Sequence, residues 1–113
     1  MAEVNRGEMW QFSFPSPNRR RPVLILTRQE VIGHLHSVTV TPITTTIRGI
    51  PTEVVVGPES GLKTTSAINF DNLATVPKDG LRSFVGTVSP QVLGAVRTAL
   101  LFALGFDDPE EGR

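Results

Sequence analysis

Over its first three quarters the chain alternates apolar and polar positions in short runs separated by turn residues. Residues 6–14 alternate after Gly7, which is typical of a strand with one buried face. Residues 22–27 (PVLILT) are almost continuously apolar, which predicts a strand buried on both faces. Residues 29–33 are predicted to form a short connection with one helical turn. Further strands are predicted over 37–43, 52–56, 66–70, 73–76 and 83–88.

The last quarter changes to a helical period. Ser89 suits an N-cap, Pro90 suits the first helical position, and Gly105 suits a left-handed residue that ends the helix. The apolar stripe between these signals has a 3.6-residue spacing and consists of Val92, Val96, Ala99, Leu100, Ala103 and Leu104. Many short strands followed by one helix predict a mainly β fold, a small barrel with a C-terminal helix.

Length and charge limit the possibilities without identifying a partner. A chain of 113 residues forms one domain, which we expect over residues 1–106, and a core this small favours a dimer. The formal net charge is zero, but four acids lie in residues 107–113, an expected flexible acidic tail, so the rest of the chain is mildly basic. That balance permits contact with RNA without requiring it.

Two absences exclude further kinds of site and segment. The chain has no cysteine, so disulfides and thiolate metal sites are excluded. No apolar run approaches the roughly 18 residues of a membrane span, and no signal peptide is recognised, so we expect a cytoplasmic protein without a membrane partner.

Several segments together resemble the MazF/PemK toxin family. They occur in the family's order between residues 6 and 106, and their ordered combination is more specific than any single one. The segments are RGEMW (6–10), RRPVLIL (20–26), VTPIT (40–44), Gly61-Leu62 with Ser66, NFDNL (69–73) with Thr75, VGTVS (85–89), and Ala99-Leu100 with Leu104-Gly105.

This resemblance implies a fold and an activity. The fold would be an SH3-like, strongly curved barrel that forms a homodimer. The activity would be that of a type II toxin, an mRNA interferase that cuts single-stranded RNA at short motifs without a metal or any other cofactor. In such a reaction the ribose 2′-hydroxyl attacks the adjacent phosphate. A cognate antitoxin would occupy the groove with a flexible acidic segment.

The resemblance assigns catalysis to Arg21, Thr44 and Asp71. The planar guanidinium of Arg21 would hold phosphate oxygens, although a lone arginine at a strand start more often lies at a sheet edge. The Thr44 hydroxyl would donate to the phosphate or orient the attacking hydroxyl, although threonine is also common at strand ends. The Asp71 carboxylate would act as a base or fix Arg21, and an Asx-turn role is equally compatible with an Asp-Asn pair.

The positions assigned to RNA contact are Arg19, Arg20, Thr45, Asn69 and Asn72. Relatives often carry arginine where this chain has Asn69, Ala74 and Gly80, so its sequence preference is expected to differ. The pair His34 and His36 has no nearby third ligand, and surface residues are favoured over a metal site. Trp10 and Phe14 could stack on bases, but alternating strand residues of this type are more often core.

Two other functions remain open. A CcdB-type toxin on the same fold would poison a DNA topoisomerase through its C-terminal end. A non-catalytic SH3-like module would bind a partner and would not impair bacterial growth.

Overall fold

The structure is a computed structural model that describes residues 3–15 and 20–108. It contains seven strands and two helices within these ranges. The elements are β1 (Glu8–Ser13), β2 (Arg20–Ile25), α1 (Gln29–Ile32), β3 (Ser37–Thr44), β4 (Glu53–Val56), β5 (Ser66–Asn69), β6 (Ala74–Pro77), β7 (Leu81–Thr87) and α2 (Pro90–Leu104). Three single 3₁₀ turns lie at Pro58–Ser60, Phe70–Asn72 and Lys78–Gly80.

All strand pairings in the sheet are antiparallel. The strand order is β4-β5-β3-β2-β1-β7, and β6 pairs with β3 beside this path. Strand β3 is central because it pairs with β2, β5 and β6. The sheet is strongly curved rather than closed into a complete barrel, since no ladder joins β4 to β7 in the described residues. This is the mainly β architecture with a C-terminal helix that the pattern predicts.

The sheet carries an apolar core on each face. In β2, Leu24 belongs to the cluster that also contains Ile43, Ile68 and Val96 of α2. The neighbouring Val23 belongs to the cluster on the other face, which also contains Ile25, Val38, Val40 and Trp10. Residues 23–25 are all fully buried, which confirms the strand predicted to be buried on both faces.

Helix α2 begins and ends at the predicted residues. The Ser89 hydroxyl accepts a hydrogen bond from the Val92 N–H at 3.1 Å, and Pro90 is the first helical residue. Gly105 has φ +79°, and the Phe106 N–H donates to the Leu101 carbonyl at 2.8 Å, which together form a Schellman end. The predicted stripe is correct except for Leu104, which is 51% exposed.

The predicted strands correspond to observed strands with ends shifted by one or two residues. Trp10 lies in the core, as expected of an alternating strand residue. Within the described residues, no helix is long and apolar enough to cross a membrane. Most of the expected acidic tail, residues 109–113, lies outside the described residues, while Asp107 and Asp108 are exposed.

Candidate active site

Two clefts lie at the ends of β2 and β3, beyond the core residues of these strands. They lie on opposite faces of the sheet, because the side chains of a strand alternate between its two faces. Successive residues of a strand point to opposite faces, so Arg20 and Arg21 face different clefts, as do Thr44 and Thr45. Arg21 and Thr44 line one cleft, here called the Arg21 cleft. Arg20 and Thr45 line the other, here called the Arg20 cleft.

The Arg21 cleft has a volume of about 450 Å³, and most of its lining residues carry polar side chains. Its lining residues are Phe14, Arg21, Pro42, Thr44, Thr46, Arg48, Glu53, Asn69 and Asn72. The β2–β3 ladder pairs Val23 with Pro42, and the same register continued by two residues sets Arg21 opposite Thr44. The sheet therefore brings together four of the predicted site residues from β2, β3, β5 and the turn after β5. They are Arg21, Thr44, Asn69 and Asn72.

Arg21 carries a guanidinium without an ion-pair partner in the described chain. Within the described residues, the one ion pair joins Arg28 and Glu30 on the surface, with 4.0 Å between their nearest charged atoms, and Arg21 takes no part in it. Arg21 itself is half-buried at the beginning of β2. A half-buried, unneutralised guanidinium in a concave site is suited to binding an oxyanion through two parallel N–H groups.

The Thr44 hydroxyl donates no hydrogen bond to another described residue. Its oxygen accepts a hydrogen bond from the Thr46 N–H at 3.1 Å, which also holds the first turn of the following loop. Because that bond uses an oxygen lone pair, the hydroxyl proton can be donated to a ligand in the cleft.

Asn69 is almost fully buried and has a fixed amide. Its side-chain oxygen accepts from the Asp71 N–H at 2.8 Å, which caps the 3₁₀ turn at Phe70–Asn72. The Thr41 hydroxyl donates to the Asn69 carbonyl. The Asx role that the sequence suggested for Asp71 is thus filled by Asn69, whose amide N–H₂ group stays available at the cleft.

Sequence reasoning missed two charged residues of this cleft, Arg48 and Glu53. One carboxylate oxygen of Glu53 accepts from the backbone N–H groups of Arg48 and Gly49, each at 3.0 Å. Its other carboxylate oxygen is buried and has no hydrogen-bond partner in the described residues. The sequence does show an acid, Glu53, five residues after Arg48. Nothing in the sequence pattern places either residue near Arg21.

Asp71 does not line either of these clefts. It is exposed, and its carboxylate accepts a hydrogen bond from the Thr52 hydroxyl at 2.7 Å. The carboxylate of the Arg21 cleft is that of Glu53 instead. Arg19 lies outside the described residues, so the structure gives no location for it.

The Arg20 cleft has a different chemistry. It measures about 660 Å³ and is lined by Gln11, Arg20, Pro22, Ile43, Thr45, Gly61, Leu62, Lys63, Thr64, Ser66, Ser83, Phe84 and Val85. It therefore combines two cations with an apolar floor, and none of these lining residues is acidic. Phe84 is 54% exposed and contacts Trp10 edge-on, with the ring centroids 5.8 Å apart.

The described residues contain no group of three or more side chains that could hold a metal ion. His34 and His36 are both exposed beyond α1.

Comparisons with known proteins agree with this architecture. A sequence model of the family described as PemK-like, MazF-like toxins of type II toxin–antitoxin systems matches residues 5–104. Endoribonuclease MazF3 of Mycobacterium tuberculosis is 44% identical over 88 residues, which cover 78% of this chain and 82% of that protein.

Solved structures give the same result. The Mycobacterium tuberculosis toxin MazF-mt6 superposes with a TM-score of 0.82 at 38% identity, over 89% of this chain and 99% of that one. An endoribonuclease in complex with its cognate antitoxin, from a mycobacterial species, superposes with a TM-score of 0.83 at 34% identity, over 91% and 96% of the two chains.

Proposed function

Because this chain belongs to the family of PemK-like, MazF-like toxins of type II toxin–antitoxin systems, we propose that it is an endoribonuclease that cleaves single-stranded mRNA. The observation that carries the proposal is the guanidinium of Arg21, which has no ion-pair partner among the described residues and lies opposite the Thr44 hydroxyl in a cleft lined mostly by polar residues. A phosphodiester is the group for which this pair of side chains is best suited.

In the proposed reaction the ribose 2′-oxygen attacks the adjacent phosphorus, and the bond from phosphorus to the 5′-oxygen breaks. The 2′-hydroxyl proton is lost and the departing 5′-oxygen gains a proton, so the products are a 2′,3′-cyclic phosphate and a 5′-hydroxyl. Negative charge grows on the non-bridging oxygens during the attack. Arg21 stabilises that charge, and it does so best where water is excluded.

Thr44 has the second role in this proposal. Its free hydroxyl proton is donated to a phosphoryl oxygen, and the bond from the Thr46 N–H keeps the hydroxyl oriented before the substrate arrives. Asn69 and Asn72 supply amide groups that can contact bases, and Phe14 offers a half-buried ring at the edge of the cleft.

The other nominated residues receive more distant roles. Arg20 and Thr45 face the opposite side of the sheet, so we assign Arg20, with Lys63, to long-range attraction of the RNA backbone rather than to the scissile phosphate. Arg19 is assigned to the same attraction from its sequence position. Asp71 holds Thr52 through a hydrogen bond and is not assigned to proton transfer.

We also propose two protein partners. A cognate antitoxin would bind through a flexible acidic segment, for which the cations of the two clefts are complementary. A second copy of this chain would cover apolar side chains that are exposed near the end of α2, Phe102, Leu104 and Phe106. Cytoplasmic mRNA as the substrate implies a cytoplasmic location.

A CcdB-type topoisomerase poison is not favoured, because the matching relatives are named as endoribonucleases. The two functions also differ in the residues they need. A topoisomerase poison would not depend on Arg21.

The test is cleavage of an unstructured RNA by the purified protein in excess EDTA, followed by end-group analysis of the fragments. We expect cutting at a short motif, 5′-hydroxyl ends, and resistance of the same RNA when the scissile residue carries 2′-deoxyribose. Inert protein across a varied RNA library, or cutting that depends on added Mg²⁺, would contradict the proposal.

A further inference from the structure

The loop between β3 and β4 brings a second guanidinium, that of Arg48, into the Arg21 cleft. Residues 45–52 form this loop, and Arg48 and Thr46 line the cleft together with Arg21 and Thr44. Arg48 is exposed and makes no ion pair within the described residues. Two unpaired guanidinium groups in one cleft match a ligand that has two anionic groups in a row.

Glu53 fixes the backbone from which the Arg48 side chain projects. One of its carboxylate oxygens accepts from the N–H groups of Arg48 and Gly49, both at 3.0 Å. Gly49 has φ +72°, a conformation in which a glycine turns the loop without strain. The first residue of β4 thus closes the loop on itself and determines where residue 48 stands.

Glu53 is itself held rigidly. It is the first residue of β4, and the β4–β5 ladder pairs it with Asn69, another residue that lines the cleft. Its second carboxylate oxygen is buried without a hydrogen-bond partner in the described ranges. The register of the sheet therefore fixes the residue that closes the loop.

We propose that Arg48 binds the RNA phosphate next to the scissile one, and that Glu53 is the positioning residue that holds Arg48 in the cleft. This inference rests on the proposed endoribonuclease function. Because Glu53 closes the loop and also lines the cleft, it fixes the backbone from which the Arg48 guanidinium reaches the cleft. Arg21 then acts on the transition state, while Arg48 acts on binding and register.

The first experiment separates binding from chemistry. Kinetics on a short RNA that carries the cleavage motif are measured for wild type and Arg48→Ala over a range of salt concentrations. We expect KM to rise about tenfold with kcat changed less than threefold, and the salt slope of kcat/KM to fall by about 0.7, the value for one phosphate of a single strand. The control Arg28→Ala removes an exposed arginine that lies outside both clefts and pairs with Glu30, and it should change neither quantity.

The second experiment tests the link between the two residues. Glu53→Ala should raise KM nearly as much as Arg48→Ala, and it should add less than about twofold when Arg48 is already alanine, because Glu53 acts through Arg48. Glu53→Gln keeps an oxygen that can accept both backbone N–H groups, so it should restore KM to within about threefold of wild type. Thermal melting of each variant identifies any that fail to fold, and Glu53→Gln preserves the test if Glu53→Ala does not fold.

The outcomes are distinct. If wild type cuts RNA but Arg48→Ala leaves KM and the salt slope unchanged, the inference is wrong while the proposed function stands. It is also wrong if the KM effects of Glu53→Ala and Arg48→Ala multiply in the double variant. A large fall in kcat for Glu53→Gln would likewise contradict it, because that result would indicate that the Glu53 carboxylate accepts a proton. If wild type cuts no RNA at all, the proposed function itself fails.

Discussion

The Arg21 cleft and the Arg20 cleft begin at consecutive residues of one strand, and each contains two cations, but the other groups that line them differ. The first contains two arginines, one carboxylate, two asparagine amides and the Thr44 hydroxyl. The second contains Arg20 and Lys63 over apolar residues such as Ile43 and Leu62, with no acid among its lining residues. One has the polar groups that chemistry at a phosphate requires, and the other has the character of a contact surface.

This difference shows how a strand assigns separate roles to neighbouring arginines. Arg21 lies on the face of Val23, and Arg20 lies on the face of Leu24, because side chains alternate along β2. The core on each face ends at a different cleft. Residues that are adjacent in the motif are therefore not interchangeable in the site.

The largest effect is expected for the arginine pair. Arg21→Ala should lower kcat by about 10²–10³-fold, the usual loss when a donor to a developing oxyanion is removed. Arg20→Ala should lower kcat/KM by less than about tenfold, with the loss confined to low salt, since exposed charges act through screened attraction. Both variants are measured by single-turnover cleavage of the same RNA at two salt concentrations.

The contrast between the two clefts disappears if both variants lose activity equally. It is reversed if Arg20→Ala is the inactive one. Circular dichroism of both variants controls for folding, and neither arginine makes a hydrogen bond or ion pair that the described fold depends on.

A smaller effect is expected for the threonine pair. Thr44→Val removes a hydroxyl that can donate in the Arg21 cleft and should lower kcat by about ten- to thirtyfold, the equivalent of one strong hydrogen bond. Thr45→Val, on the other face, should stay within about threefold of wild type. Thr44→Ser should recover most of the activity, and a Thr44→Val enzyme as active as wild type would remove Thr44 from the mechanism.

The smallest effect is expected for Asp71. Asp71→Asn retains an oxygen that can accept from the Thr52 hydroxyl, and the side chain lies outside both clefts. We therefore expect cleavage rates within about threefold of wild type and a melting temperature lowered by only a few degrees, the change expected from about 1 kcal/mol. A loss of a hundredfold or more would restore Asp71 as a catalytic carboxylate.

Local signals were sufficient to predict most of the fold. The capping residues Ser89 and Gly105 act on backbone groups within a few residues, so their effect can be predicted without the tertiary structure. The continuous apolar run of β2 likewise predicted burial on both faces. The curvature of the sheet depends on the pairing of β3 with three strands, which no local pattern specifies.

The candidate site was only partly predictable, because its side chains come together through long-range features of the fold. The sequence assigned Arg21 and Thr44 to catalysis and Arg20 and Thr45 to RNA contact, but only the folded strands show that the members of each adjacent pair face different clefts. Asp71 was nominated because of its motif, yet a 3₁₀ turn capped by Asn69 directs it toward Thr52. Glu53 and Arg48 meet Arg21 only through the register of β4, β5 and β3, which is a long-range property of the sheet.

The most direct measurement follows the arginine side chains themselves. The Nε–H signals of isotopically labelled protein are recorded during titration with an RNA of the cleaved motif, made resistant by 2′-methoxy groups. The Arg21 signal should shift strongly and become protected from exchange with water, while the Arg20 signal moves little. Strong shifts at Arg20, with Arg21 unchanged at saturation, would contradict the assignment of the scissile phosphate to the Arg21 cleft.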